Sequence, residues 1–268
     1  MDDDRVVQVS PRHSVRLARE YVGLIERAPA QDYVVRTIAR REANGLPLMS
    51  AELVIAGWET REKFPLAHTY PLHFRKTYSP ARMHGDPAKE FEYHTLASKI
   101  IRLPPAIGFS AQTYRSCLIP GRPYQRLSPF GGEPEESNMR VAESLPLASA
   151  AGLWRLAEAA LQSLTTLHEG GLAHGDAELH NFVVCPAPLE IVIIDFESVV
   201  EKSATTEEGW AKRRALDLTP ILREGVFLQC ALGRQEGPLA EQSLGEMKRL
   251  FKAPDRFRRA IDEQSDLS

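Results

Sequence analysis

His168-Glu-Gly-Gly-Leu-Ala-His174-Gly175-Asp176-Ala-Glu178-Leu-His180-Asn181-Phe-Val-Val184, followed after a Pro-rich turn by Ile191-Val-Ile-Ile-Asp195-Phe196-Glu197, decides how this chain is read. The run predicts the end of a helix, a polar loop, a strand, a turn and a second strand that ends on a carboxylate. Three groups stand out: Asp176, Asn181 five residues on, and Asp195 after four apolar residues. The set suits phosphoryl transfer. One carboxylate can orient a nucleophilic hydroxyl, and an amide with a second carboxylate can hold magnesium under a nucleotide. An alternative is a zinc or manganese hydrolase, because His168, His174, Asp176 and His180 crowd one loop. Against it, no second His/Asp cluster supports the site, and His168 ends a helix.

The run also resembles a known superfamily. His-Gly-Asp176-x4-Asn181 is similar to the catalytic loop of the protein-kinase-like fold, in the His-Gly-Asp form of aminoglycoside phosphotransferases and RIO-type atypical kinases. Ile194-Asp195-Phe196-Glu197 resembles that fold's Asp-Phe-Gly magnesium motif, with Glu in place of Gly. The resemblance implies ATP and magnesium as cofactors. It makes Asp176 the catalytic carboxylate, Asn181 and Asp195 the metal ligands, and His174 a residue that holds the loop. Glu178 stands where Ser/Thr protein kinases place a lysine, and a glutamate there repels phosphate unless it faces away or joins the metal shell.

The 268 residues carry 43% hydrophobic and 26% charged residues and a net charge of −3. That is ordinary globular composition, with no signature of nucleic-acid or membrane binding. Neither a spanning apolar run nor a signal-peptide pattern is present, so cytoplasmic residence is the expectation. Cys117, Cys185 and Cys230 are scattered, which favours reduced, structural thiols.

Upstream, residues 1–12 read as a polar, frayed end. Ser14 to Ala28 and Asp32 to Gly45 predict two helices, the second capped by Asp32 and stopped by Asn44-Gly45. Residues 1–46 thus form an expected helical extension, which braces the next domain or offers a protein partner a surface; bracing is the simpler expectation. From Pro47 the period changes. Strands are expected at 48–55, 66–70 and 72–78, with a turn at 56–61. The loop between the first two strands, placed at 56–65, offers only Gly57 where the family is glycine-rich.

Lys76 occupies the position that the resemblance gives to the lysine gripping the nucleotide phosphates; an ordinary surface lysine is the competing reading. The next helix, 87–101, is expected to bury Phe91, Leu96, Ala97, Ile100 and Ile101 and to supply Glu92 as the partner of Lys76, with Glu90 as competitor. After a turn at 103–108 and one or two strands in 110–119, the resemblance places Leu118 and Ile119 at the adenine edge. The small domain is therefore 47–120 and a helical domain 121–268.

Within the latter, 124–146 reads as a long loop, and Leu147 to His168 as a periodic helix ended by Gly170-Gly171. Residues 235–268 read as short helical sequence that includes Phe257 and Ile261. Asp217 resembles the buried Asp that receives catalytic-loop N–H groups in kinases; a helix N-cap is the other reading. The short span after Glu197, with no Ala-Pro-Glu motif, favours a small-molecule acceptor over a protein. The expected fold is α+β, a two-lobed protein-kinase-like fold with an N-terminal helical extension. The expected activity is ATP- and Mg-dependent phosphotransfer to a hydroxyl, with a small molecule ahead of a protein Ser/Thr as acceptor. A pseudokinase working as a nucleotide-binding or scaffold module is the alternative.

Overall fold

The computed structural model describes residues 5–43, 46–79, 85–127, 150–233 and 236–251. The chain divides into two compact units, residues 1–120 with Asp195–Glu197, and residues 121–194 with 198–268.

Unit 1 begins with a two-stranded ribbon, β1 (Arg5–Gln8) and β2 (Ser14–Leu17), followed by helix α1 (Arg19–Arg27). A five-stranded antiparallel sheet follows. It comprises β3 (Tyr33–Ala43), β4 (Leu46–Ile55), β5 (Leu72–Tyr78), β6 (Ala106–Phe109) and β7 (Thr113–Cys117), in the order β3-β4-β5-β7-β6. Short helices α2 (Trp58–Lys63) and α3 (Leu66–Thr69) link β4 to β5, and α4 (Pro87–Ala97) links β5 to β6.

The expected second helix is therefore a strand. Val34, Val35 and Ile38 fit a helical stripe over a short window, but Val34-Val35-Arg36-Thr37-Ile38 is rich in β-branched residues, and β4 pairs along the length of this stretch. β3 and β4 pair antiparallel from Tyr33↔Ile55 to Ala43↔Leu46, and residues 44–45 lie outside the described residues. The expected phosphate loop at 56–65 is instead helix α2. Gly57 precedes that helix, and a Cβ there would meet the Gln31 carbonyl carbon at 2.5 Å, so it is a packing glycine. The expected strand at 66–70 is α3. Helix α1 starts only at Arg19, because Ser14–Leu17 pairs with β1. Its Tyr21, Leu24 and Ile25 pack against a core of Val9, Ile55 and Leu72. The first helix thus braces the sheet.

Unit 2 contains a small sheet ordered β8-β10-β11, from β8 (Arg122–Pro123), β10 (Phe182–Pro186) and β11 (Leu189–Ile193). A two-stranded tie pairs β9 (Leu172–Ala173) with β12 (Val200–Glu201). Its helices are α5 (Ala150–Glu169), α6 (Glu207–Leu232) and α7 (Pro238–Phe251). Leu153, Leu156, Ala157, Ala160, Leu161, Leu164 and Leu167 are all buried along α5, the 3.6-residue stripe of a core helix. Helix α6 starts at a Thr206 cap, whose hydroxyl accepts from Gly209 N at 3.1 Å. The loop expected at 124–146 is described only to residue 127, where Tyr124–Arg126 is a 3-10 turn. The C-terminal sequence holding Phe257 and Ile261 lies outside the described residues. Among the described residues no helix is long and apolar enough to cross a membrane.

Candidate functional site

Two constellations carry the chemistry, one in each unit. In unit 1 the alternation of β5 sends Phe74, Lys76 and Tyr78 to one face and His73 and Arg75 to the other. Lys76 is 4% exposed, with Ala51 and Tyr114 beside it on the neighbouring strands. Its ammonium donates to Asp195 Oδ1 at 2.8 Å and Glu197 Oε2 at 2.9 Å, and lies 3.5 Å from Glu90 Oε2. A buried ammonium is costly unless paired. Burial works to lower its pKa, but Glu90, Asp195 and Glu197 together outweigh it and hold Lys76 above the usual lysine range.

The partner from α4 is Glu90. Glu92 is exposed, so the expected pairing with Lys76 is corrected. The cause is which face of the helix is buried. Pro87, Glu90, His94 and Ala97 point inward, at spacings of three and four. Glu90 and His94 interrupt the apolar pattern that usually marks the buried face of a helix. Asp86 caps the helix, accepting from Ala88 N at 2.9 Å, and Pro87 opens it.

Tyr78, two residues after Lys76 on the same strand face, ties the group together. Its hydroxyl lies 2.5 Å from Glu90 Oε2 and 2.8 Å from Glu197 Oε2. A phenol has one proton to donate, so both contacts are hydrogen bonds only when one of the two carboxyls is protonated. Burial pushes the Glu90 carboxyl up to about 7, with Lys76 opposing. Burial, then Glu90, raises Tyr78 far above the ordinary phenol range.

Asp195 has φ +69°, an uncommon left-handed backbone that Asp tolerates better than most residues. Such outliers concentrate at functional sites. Phe196 is buried, its ring 5.3 Å from that of His94. The His94 ring is held in turn by the Tyr114 hydroxyl and by the Pro104 carbonyl at 2.7 Å. Burial pushes His94 down to about 4.

The second constellation, in unit 2, is built on Asp217. This residue lies within α6, so it is not the helix N-cap. It is 2% exposed and accepts from His174 N at 2.6 Å, Gly175 N at 2.8 Å and His168 Nε2 at 2.9 Å. One buried carboxylate thus fixes the turn that presents Asp176. Gly175 takes φ +82°, and a Cβ there would sit 2.1 Å from the Ser198 carbonyl oxygen. His174 is fully buried. Its Nδ1 accepts from Asp176 N at 3.3 Å, so Nε2 carries the N–H that donates to Ile194 O at 2.9 Å. With both ring nitrogens engaged, His174 positions the loop.

Asn181 is 3% exposed, and its amide donates to Asp176 O at 2.8 Å and Oδ2 at 3.2 Å. Its backbone carbonyl accepts from Ile194 N at 2.9 Å. The segment after Glu197 is short: β12 pairs back to β9, and α6 opens at Glu207.

Leu118 packs on the Val9, Ile55 and Leu72 core, and Ile119 is half-buried beside it. The oxygens of Glu90, Asp195 and Glu197 lie within 4.8 Å of one another around the Lys76 ammonium; hard carboxylate oxygens suit magnesium, and of the three Asp195 is the expected metal ligand. Glu90, the competitor to Glu92 in the sequence, is the residue that meets Lys76, whereas Tyr78 and Glu197 were not anticipated beside it. Tyr78 was findable from strand alternation, and Glu90 from its spacing to His94 and Ala97.

No family model matches the chain, and no curated protein matches it. Among solved structures, the kinase PK-1 of Cydia pomonella granulovirus is similar over 68% of this chain, at 12% identity and a TM-score of 0.45. The chain spans 59% of the length of that kinase. A likeness of this degree leaves the functional argument to the chain's own residues.

Proposed function

We propose that this protein is a kinase-like phosphotransferase, which moves the γ-phosphate of ATP to a hydroxyl with magnesium. The observation that carries the reading is the bond from buried Lys76 to Asp195, with Glu90 behind it. Lys76 from β5, Glu90 from α4 and the Asp195–Glu197 stretch meet, so that one ammonium faces three acids, more than a structural lysine needs. Ion-pair networks also occur as scaffolding, but the left-handed Asp195 and the tethered Asp176 loop favour a reactive site.

In this reading Lys76 binds the phosphates, while Asp195 and the Asn181 side-chain oxygen hold the metal. Magnesium, when bound, neutralises charge on the phosphate oxygens. Asp176 orients the acceptor hydroxyl and accepts its proton. The hydroxyl oxygen bonds to the γ-phosphorus, the bond from that phosphorus to the bridging oxygen breaks, and ADP leaves. Asn181 and Asp217 keep Asp176 in place. The short segment between Glu197 and Glu207 gives a peptide little to dock on, which favours a small-molecule acceptor.

Thermal unfolding with Mg·ATP tests the reading. Ligand at about ten times Kd stabilises by about 1.4 kcal/mol, a rise of roughly 2–4 °C. Wild type gains this shift and Asp195→Ala does not. Absence of any shift at saturating Mg·ATP in the wild type rejects the reading.

A further inference from the structure

We propose that Glu197 is a built-in competitor of the nucleotide, a carboxylate that occupies the phosphate-binding ammonium of Lys76 until it is displaced. The inference rests on the phosphotransferase reading above and adds a residue that sets its affinity and metal dependence. An ammonium has three N–H donors. Two are taken by Asp195 and Glu197 at 2.8 and 2.9 Å, and the third faces Glu90 at 3.5 Å. Glu197 is held from a second side by the Tyr78 hydroxyl at 2.8 Å. A phosphate oxygen that seeks Lys76 therefore meets a full set of anionic acceptors of its own kind.

Exposure identifies which partner yields. The Glu90 side chain is 3% exposed, Asp195 18% and Glu197 26%. Returning a carboxylate to water costs least where it already touches water, so Glu197 exchanges for phosphate and Glu90 stays. The exchange swaps one charge-assisted hydrogen bond for another of the same class. Even with one carboxyl protonated, the remaining two carboxylates exceed the single ammonium, so a free polyphosphate is repelled. A divalent cation on Asp195 offsets that excess. Nucleotide binding is then strongly dependent on the cation, and Glu197 is the reason.

The test is ADP binding by titration calorimetry, with EDTA and with excess magnesium, on wild type, Glu197→Gln and Tyr78→Phe. Glutamine keeps an acceptor for Lys76 and removes the charge. Tyr78→Phe releases Glu197 without changing the charge, and circular dichroism melts verify the fold of both. In EDTA, Glu197→Gln binds ADP about tenfold or more tightly than wild type, equal to about 1.4 kcal/mol, and Tyr78→Phe shows a smaller gain. Equal or weaker binding by Glu197→Gln in EDTA overturns the inference. If wild type binds ADP with magnesium and the variant gains nothing, only this inference falls. If no protein binds ADP under either condition, the phosphotransferase reading falls with it.

Discussion

Replacing Asp217 by alanine tests the idea that one buried carboxylate builds the Asp176 loop. Three donors converge on it, the backbone amides of His174 and Gly175 and the Nε2 of His168, at 2.6 to 2.9 Å. The site is closed: Asp217 is 2% exposed, His168 4% and His174 fully buried. Alanine leaves three donors without their acceptor, and each buried orphan costs about 1–3 kcal/mol. Partial relaxation and entry of water lower the sum, so the expected loss is roughly 3–5 kcal/mol. Asparagine is the informative intermediate. Its single oxygen can serve Gly175 N, where Oδ1 now sits, but its NH2 group then opposes the His174 N–H. The expected loss is about half that of alanine. Urea unfolding followed by circular dichroism measures both. A loss below about 1 kcal/mol for Asp217→Ala refutes the claim that the loop depends on these bonds.

Three further outcomes follow from other parts of the molecule. The Glu90 carboxyl is raised to about 7 from 4.5, so its contribution is fully present below the unfolded value and is lost as pH rises through the folded one. Glu90→Gln therefore gains on the wild type between pH 5 and 8 by about 3 kcal/mol; parallel stability curves over that range refute the assignment. Asp32 bridges Arg75 at 3.0 Å and Arg115 at 2.7 Å on the opposite face of the sheet from Lys76, so Asp32→Ala costs roughly 3–5 kcal/mol. Adding Arg115→Met recovers part of that loss in a double-mutant cycle, and simple additivity contradicts the pairing. Gly175→Ala meets both a left-handed φ and the Ser198 carbonyl, and loses on the order of 2 kcal/mol or more; a variant that melts with the wild type shows that the turn is not constrained as described.

The run from His168 to Glu197 was legible because its chemistry and periodicity coincide. Strands β10 and β11 are short apolar runs, the helix before the loop has an unbroken leucine stripe, and polar residues fall only where the loop needs them. The N-terminal region was not legible for an opposite reason. Tyr33–Ala43 carries a pattern that fits helix or strand over a short window, and pairing with β4, which no local propensity records, decides it. Because Tyr33–Ala43 is a strand, the sheet begins one strand earlier than expected, and 56–65, expected as a loop between the first two strands, holds helix α2 instead. Of the two glutamates expected as candidates on α4, Glu90 is the one that pairs, because α4 turns a polar face inward, with Glu90 at Lys76 and Tyr78 and His94 at Tyr114. Asp217 offered two readings in sequence, since a cap and a buried acceptor share the same residue type. Only the convergence of His168, His174 and Gly175 on its oxygens separates them.

The central claim is that Asp176 acts in phosphoryl transfer on a nucleotide bound through Lys76 and Asp195. Its most direct measurement is ADP formation from Mg·ATP by wild type and Asp176→Ala, with Mg·ADP affinity determined on the same samples. Water serves as the acceptor until the natural one is identified. The account predicts slow turnover by wild type, a loss of about 10²–10⁴ in rate for Asp176→Ala, and nucleotide affinity within about twofold of wild type for that variant. Turnover by Asp176→Ala at the wild-type rate contradicts it.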